Sequence, residues 1–169
     1  CLTIRNFKSV RELTMTDIEQ ALILVGRNST GKTAVLDAVR LAASGSAPRA
    51  EDFWPEGFNI EIHMCLDIGE EDLKRLNARG AVSKYKRYDL WLQEFQSRLP
   101  SYKDGQLSFT YIAGKNGRIR YDDGVRKNNL YIPQVMPKIH AIGHRRDVED
   151  IQQDIFTAQG GEQLKELRE

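Results

Sequence analysis

Little in this chain is present in excess, and its shortages narrow what it can be. Cysteine occurs only at Cys1 and Cys65 in 169 residues, and the two fall in no metal-binding or disulfide spacing. The expectation is a reduced, cytoplasmic setting and no disulfide framework. His63, His140 and His144 are the only histidines, and none has a second ligand at metal spacing, so no zinc site is expected. The apolar runs are far too short to span a bilayer and no secretory leader is evident, so no membrane partner is expected. The net charge is only +1, which gives no argument for nucleic acid binding from the total. There is no repeat and no low-complexity stretch. What remains is an ordinary globular composition, 40% apolar and 29% charged. That is enough for one domain with a real core, or one domain and a small appendage. The chain opens at Cys1 and enters a strand at once, which reads as part of a longer protein.

What is there stands out against this background. Gly26-Arg27-Asn28-Ser29-Thr30-Gly31-Lys32-Thr33 is a G-x-x-x-x-G-K-T phosphate-binding loop. The pattern has chemical meaning only between a strand and a helix. Ala21 to Val25 is a short apolar run suited to a buried strand. Lys32 to Ala43 has helical spacing, with Val35, Leu36, Val39 and Ala43 expected on the buried face. Glycine at 26 and 31 lets the backbone turn tightly and approach an anion without a Cβ in the way. The amides of residues 28 to 33 can then converge on a phosphate at the positive end of the helix. Lys32 is placed to reach the β- and γ-phosphates, and the Thr33 hydroxyl to ligate Mg2+.

The rest of the chain reads as a mixed α/β pattern. Leu2 to Ile4 is a strand, Asn6 to Val10 a turn, and Glu12 to Met15 a returning strand. Residues 44 to 59 form a loop rich in glycine and proline. Ile60 to Ile68 alternates as a half-exposed strand. Glu70 to Ala78 and Lys84 to Arg98 are helical, and Leu107 to Ile112 with Arg118 to Tyr121 make a hairpin. Lys138 to Ile142 is a further buried strand, followed by a helix after Gly143. From Lys74 to Lys103, eight basic residues face only Asp89 and Glu94, with Tyr85, Tyr88 and Trp91 interleaved. That composition can hold a nucleic acid backbone and stack on bases. The favoured alternative is a solvated amphipathic helix whose aromatics pack inward.

Three classes are disfavoured by missing motifs. GTPases need N-K-x-D, and Lys127-Asn128-Asn129-Leu130 does not supply it. Small-molecule kinases carry an arginine-rich lid, for which Arg145-Arg146 is only a fragment. AAA+ motors need an apolar strand ending Asp-Glu, whereas Asp67 is followed by Ile68.

Leu2 to Val10 with its Asn6-Phe7-Lys8-Ser9, then the loop at 26 to 33, then Ala34-Val35-Leu36-Asp37-Ala38-Val39, resembles the start of an ABC-type ATPase head. The pattern is similar to the SMC, RecF and OLD group, within it most to OLD-like and Septu-type antiphage defence ATPases. It covers residues 2 to 43 specifically and the remainder only in element order. The resemblance implies an α/β P-loop NTPase fold. Residues 1–169 would be the N-terminal lobe of an ABC/SMC-like head, with an antiparallel arm over about 60–132. It implies ATP and Mg2+ as ligands, and a homodimer of heads closed on two ATP molecules. Gly26, Asn28, Ser29, Thr30, Gly31, Lys32, Thr33 and Ala34 would contact phosphates, with Lys32 and Thr33 catalytic. Arg5, Asn6 and Lys8 would lie near the base or α-phosphate, and Arg49 where such heads can carry a tuning arginine. His144 and Arg145 would sit at a sensing loop, although Arg145-Arg146-Asp147 equally fits a helix start capped by Asp147. A signature motif of the L-S-G-G type and the Walker B Asp-Glu are missing, so the C-terminal lobe of the same protein would supply them.

The expected function is a head that hydrolyses ATP and gates a DNA- or nuclease-related activity, in DNA repair or antiphage defence, with a nuclease or toxin partner. A nucleotide-sensing clamp with little turnover is the alternative, and a small-molecule kinase a weaker one.

Overall fold

A computed structural model of the chain describes residues 1–18, 21–25 and 31–139. The fold below is that of the unit Cys1–Lys138; of the second unit, Ile139–Glu169, only Ile139 is described. The sheet begins with β1 (Leu2–Phe7) and β2 (Val10–Met15), joined by a tight turn at Lys8 and Ser9. Helix α1 (Lys32–Ser44) follows, then strand β3 (Ile60–Asp67). Helices α2 (Glu70–Ala78) and α3 (Tyr88–Arg98) come next. Strands β4 (Tyr102–Lys103), β5 (Gln106–Ala113) and β6 (Ile119–Asp122) and the short helix α4 (Ile132–Val135) complete the unit. The strand order is β2-β1-β3-β5-β4, with β6 also on β5, and every pairing is antiparallel.

Period-two alternation gives the sheet two unlike faces. Leu2 and Ile4 of β1, Ile60, Ile62 and Met64 of β3, and Leu107, Phe109 and Tyr111 of β5 point to one side and are buried. The register places Ile4 opposite Ile62 and Ile62 opposite Tyr111, so the apolar side chains stack in rows across three strands. Ala34, Val35, Ala38 and Ala42 of α1 belong to the same core. Small residues on this stripe let the helix approach the sheet closely. Two tyrosines fasten the helix end: Tyr121 Oη donates to Ala42 O at 2.6 Å and Tyr111 Oη to Ser46 O at 2.7 Å. The opposite face carries Thr3, Arg5, Glu61, His63 and Thr110, which line a shallow polar depression.

Most expected elements are found, and the departures are informative. Helix α1 buries Val35 as expected, but its buried stripe runs through Ala34, Ala38 and Ala42, while Leu36 is 59% exposed. Ala21–Val25 is not a buried strand. It pairs with no described strand, and Ile23 and Val25 are 83% and 89% exposed. Apolarity alone does not make a strand: a buried strand needs neighbours for its amides and carbonyls, and the described sheet offers none beside it. The expected strand at Lys138–Ile142 is not seen at Lys138 and Ile139, and its remainder lies outside the described residues.

The cysteine reading is also corrected. Cys1 and Cys65, 64 residues apart in sequence, are joined as a disulfide with Cα atoms 5.0 Å apart. The pairing of β1 with β3 brings them together, as the Cys65 amide donates to Cys1 O at 3.0 Å. No spacing rule could show this, because the register that creates it is non-local.

The basic stretch resolves toward the amphipathic-helix reading. Trp91 is fully buried, its Nε1 donating to Ala81 O at 2.7 Å, and Tyr88 stacks on it. Arg87 pairs with Asp89 and Arg98 with Glu94 on the outer side. Its central aromatic is therefore core rather than a platform for bases. No helix among the described residues is long and apolar enough to cross a membrane.

Candidate phosphate-binding site

Helix α1 starts at a backbone position that suits glycine. Gly31 precedes it with φ 89° and ψ 4°, in the left-handed region. A Cβ there would also lie 3.3 Å from Ser9 Oγ. Both the dihedral and the close approach of the β1–β2 turn therefore favour the absence of a side chain. The first turn of α1 contains no acidic residue, so no carboxylate of that turn competes for its amides. The partial positive charge of the helix start is left for an external anion.

That helix start opens into a pocket of about 330 Å³ lined by Lys8, Ser9, Gly31, Lys32, Thr33, Ala34 and Asp37. Of the residues singled out in the sequence, the structure thus brings Lys8, Gly31, Lys32, Thr33 and Ala34 together. Gly26, Asn28, Ser29, Thr30, His144 and Arg145 lie outside the described residues.

Lys8 is held there with some care. Its φ is 50°, unusual for a residue with a side chain. Such positions cost on the order of 1–3 kcal/mol and persist only where the surroundings over-determine them. Here the Lys8 amide donates to Asp52 O at 2.8 Å. Its ammonium donates to Asp37 Oδ2 at 2.6 Å and lies 3.6 Å from Asp52 Oδ1. The hydrogen bond to Asp37 is the main cause that raises the Lys8 pKa above its ordinary 10.5, so the group stays cationic at any physiological pH. Asp52 is itself buried and accepts from the Arg49 amide at 2.8 Å, which fixes the loop after α1.

Ser9, Asp37 and Asp52 were not singled out from the sequence. Asp37 carried a usable signal, since a carboxylate on the first turns of a helix can meet a lysine on the preceding hairpin. Asp52 carried none, because its place depends on how the loop folds back.

Arg5 and Asn6 are placed elsewhere. Arg5 lies on the polar sheet face, donating from Nε to Glu12 Oε1 at 3.0 Å, with Glu61 at 3.8 Å. Arg5 shares that face with Thr3, whereas the left-handed Asn6 breaks the strand's alternation before the buried Phe7 and the turn residue Lys8. Asn6 has φ 56° and donates from Nδ2 to Asn59 O at 3.1 Å, so it ties the end of β1 to the loop before β3. Arg49 is exposed and 3.5 Å from Glu51.

Comparisons with known proteins give a family, a curated relative and a solved structure to which the chain is similar. An uncharacterized protein of Methanocaldococcus jannaschii is 27% identical over 113 residues, 67% of this chain and 44% of its own length. The chain thus spans under half the length of that curated relative. A solved chain from the structural biochemistry of ATP-driven dimerization and DNA stimulated activation of SMC ATPases is similar with a TM-score of 0.46 and 15% identity. That similarity covers 71% of this chain and 65% of that one. The AAA domain family matches residues 1–167, the whole of the strand, turn and helix assembly described above included. The chain therefore belongs to the AAA domain family.

Proposed function

We propose that this chain is the N-terminal lobe of an ABC/SMC-like P-loop ATPase head that binds ATP with Mg2+. The observation that carries the reading is the meeting of the G-x-x-x-x-G-K-T pattern with a left-handed Gly31, a helix start free of acids, and a pocket holding Lys8, Lys32 and Thr33. Membership of the AAA domain family supports ATP as the nucleotide.

The residues present suit a triphosphate and a hard cation. The Gly31 cradle, which a Cβ would crowd, gives an anion direct access to main-chain N–H groups. Magnesium, when bound, neutralises charge on phosphate oxygens as a Lewis acid. In this chain the Thr33 hydroxyl is the group to hold it. Lys32 and the amides of residues 28 to 34 orient the phosphate tail, and Lys8 adds a second cation at the rim. The chemistry asked of them is positioning and charge stabilisation rather than covalent catalysis. The group that polarises water, a Walker B glutamate, belongs to a C-terminal lobe. His144 and Arg145 are assigned to a sensing loop beside it.

On this reading two heads close on ATP and open after hydrolysis in the cytoplasm. That cycle gates a DNA- or nuclease-related partner in repair or antiphage defence. ATP binding to the full-length protein, measured for the wild type and Lys32→Ala, tests the core of it. Loss of a charge-assisted phosphate contact weakens binding by on the order of 2 kcal/mol. Equal affinities would remove the phosphate-site assignment. Tight binding without turnover would replace the ATPase by a nucleotide-sensing clamp.

A further inference from the structure

The polar face of the sheet carries a second group of chemistry-bearing residues, remote in kind from the phosphate site. His63 and Cys65 are two apart on β3, so both side chains leave the sheet on the same side. The β1–β3 register sets Cys1 beside Cys65. The two Sγ atoms and a ring nitrogen of His63 all lie within 4.8 Å of one another, and all three residues are half-buried. His63 Nε2 is 3.7 Å from Cys65 Sγ. Two ligands bound to one tetrahedral zinc at about 2.3 Å for sulfur and 2.0–2.1 Å for nitrogen stand roughly 3.5 Å apart, so this separation already fits.

The imidazole is also oriented from behind. Its Nδ1 lies 3.0 Å from Thr110 Oγ1, the residue paired with His63 across β3 and β5. With Nδ1–H donating to that hydroxyl, the lone pair of Nε2 faces the sulfurs. A partner that fixes the tautomer and ring plane in this way is the usual support of a metal-bound histidine. Ser108, which pairs with Cys65, places its Oγ 3.4 Å from the same Nε2 and lines the open side.

The geometry points to a site for one thiophilic divalent cation, Zn2+ above all, bound by the Cys1 and Cys65 thiolates and His63 Nε2. Its fourth position is left to solvent. The Cys1–Cys65 disulfide and the metal are mutually exclusive, since both use the same sulfurs. A dithiol reductant opens the bridge: two electrons and two protons pass to the sulfurs, and the reductant closes to its own disulfide. Metal entry then releases the two thiol protons to solvent, with no change in the metal's oxidation state. The site would clip β1 to β3 in the reduced protein as the disulfide does in the oxidised one.

The test is a cobalt titration of the full-length protein, reduced with a phosphine, desalted, and verified by thiol counting. We expect thiolate-to-cobalt charge-transfer absorption that saturates at one equivalent per chain and is bleached by Zn2+. Cys65→Ser and Cys1→Ser should each strip most of that absorption; the second, at the strand's start, serves if the first does not fold by circular dichroism. Thr110→Val should keep the band but weaken cobalt binding about 10–100-fold. Lys32→Ala should leave the band intact, so failure of the nucleotide reading and failure of this one are separable. Absence of the band in fully reduced wild type would overturn the site and leave only a reversible disulfide. A band that survives both cysteine substitutions would overturn it as well.

Discussion

The pocket at the start of α1 and the polar face of the sheet are both built on β1, yet they recruit chemistry in opposite ways. The pocket relies on main-chain groups and on one short run of sequence, with Gly31, Lys32 and Thr33 consecutive. Lys8 reaches it through a tight turn and is held by Asp37 and Asp52. The sheet face relies on side chains alone, drawn from β1, β3 and β5 by register. A helix start needs only local conformation to present its amides. A cross-strand cluster exists only after distant segments have paired. The first kind of site therefore tolerates damage to the sheet's polar face, and the second tolerates damage to the loop.

The largest expected effect tests the core that both regions share. Tyr121 is buried, donates to Ala42 O, and burial pushes its pKa up to about 12. Its folded value lies above the ordinary 10, so the folded state keeps its proton longer than the unfolded chain. The stability this represents is complete below pH 10 and is lost as pH rises from 10 toward 12, by about 3 kcal/mol. Burial raises Tyr111 in the same direction. Denaturant unfolding at pH 9 and pH 12 should show the steeper loss in the wild type, and Tyr121→Phe should flatten it. Parallel pH profiles would detach the helix from the sheet in this account.

Next in size is Gly31→Ala. Forcing a Cβ into the left-handed region costs about 1–2 kcal/mol, and the contact with Ser9 Oγ adds to it. Thermal unfolding should move down accordingly and ATP affinity should fall at least about tenfold, while cobalt binding at the sheet face is unchanged. A parallel loss at both sites would show that they are not independent.

Lys8→Met should weaken ATP binding by about 1 kcal/mol or less, because the cation is half-exposed and already shared with Asp37 and Asp52. Calorimetric titration at low and high salt checks this, and the difference between wild type and variant should shrink with salt. Smallest of all is Ile23→Ser. Its side chain is 83% exposed in this chain, and surface changes of this kind stay within about 0.5 kcal/mol in chemical denaturation. A loss of 2 kcal/mol would restore the buried strand that the apolar run suggests.

Legibility followed the same divide. The helix at Glu70–Ala78, the helix expected over Lys84–Arg98 and found at Tyr88–Arg98, strand β3 and the β5–β6 hairpin were visible in periodicity and turn residues, since each signal lies within one element. Of the residues lining the pocket, Gly31, Lys32 and Thr33 stood out in the sequence because they are adjacent. Three things were not. The stripe that α1 buries runs through Ala34, Ala38 and Ala42 beside Val35, a choice of face that the sheet makes and helical spacing alone does not. Arg5 lies on the other face of the sheet, paired with Glu12 and Glu61, a placement set by the strand register. The exposed Ala21–Val25 run pairs with no strand among the described residues.

By itself, the sequence determined that a glycine at 31 stands before an amphipathic helix, because glycine freedom and helical spacing act over a few residues. Only the tertiary structure decided that Asp37 and Asp52 restrain Lys8, and that Cys1, His63 and Cys65 share one patch. Those contacts depend on which strands pair and in what register, and that is settled by burying a whole face of the sheet at once, not by any single stretch of chain.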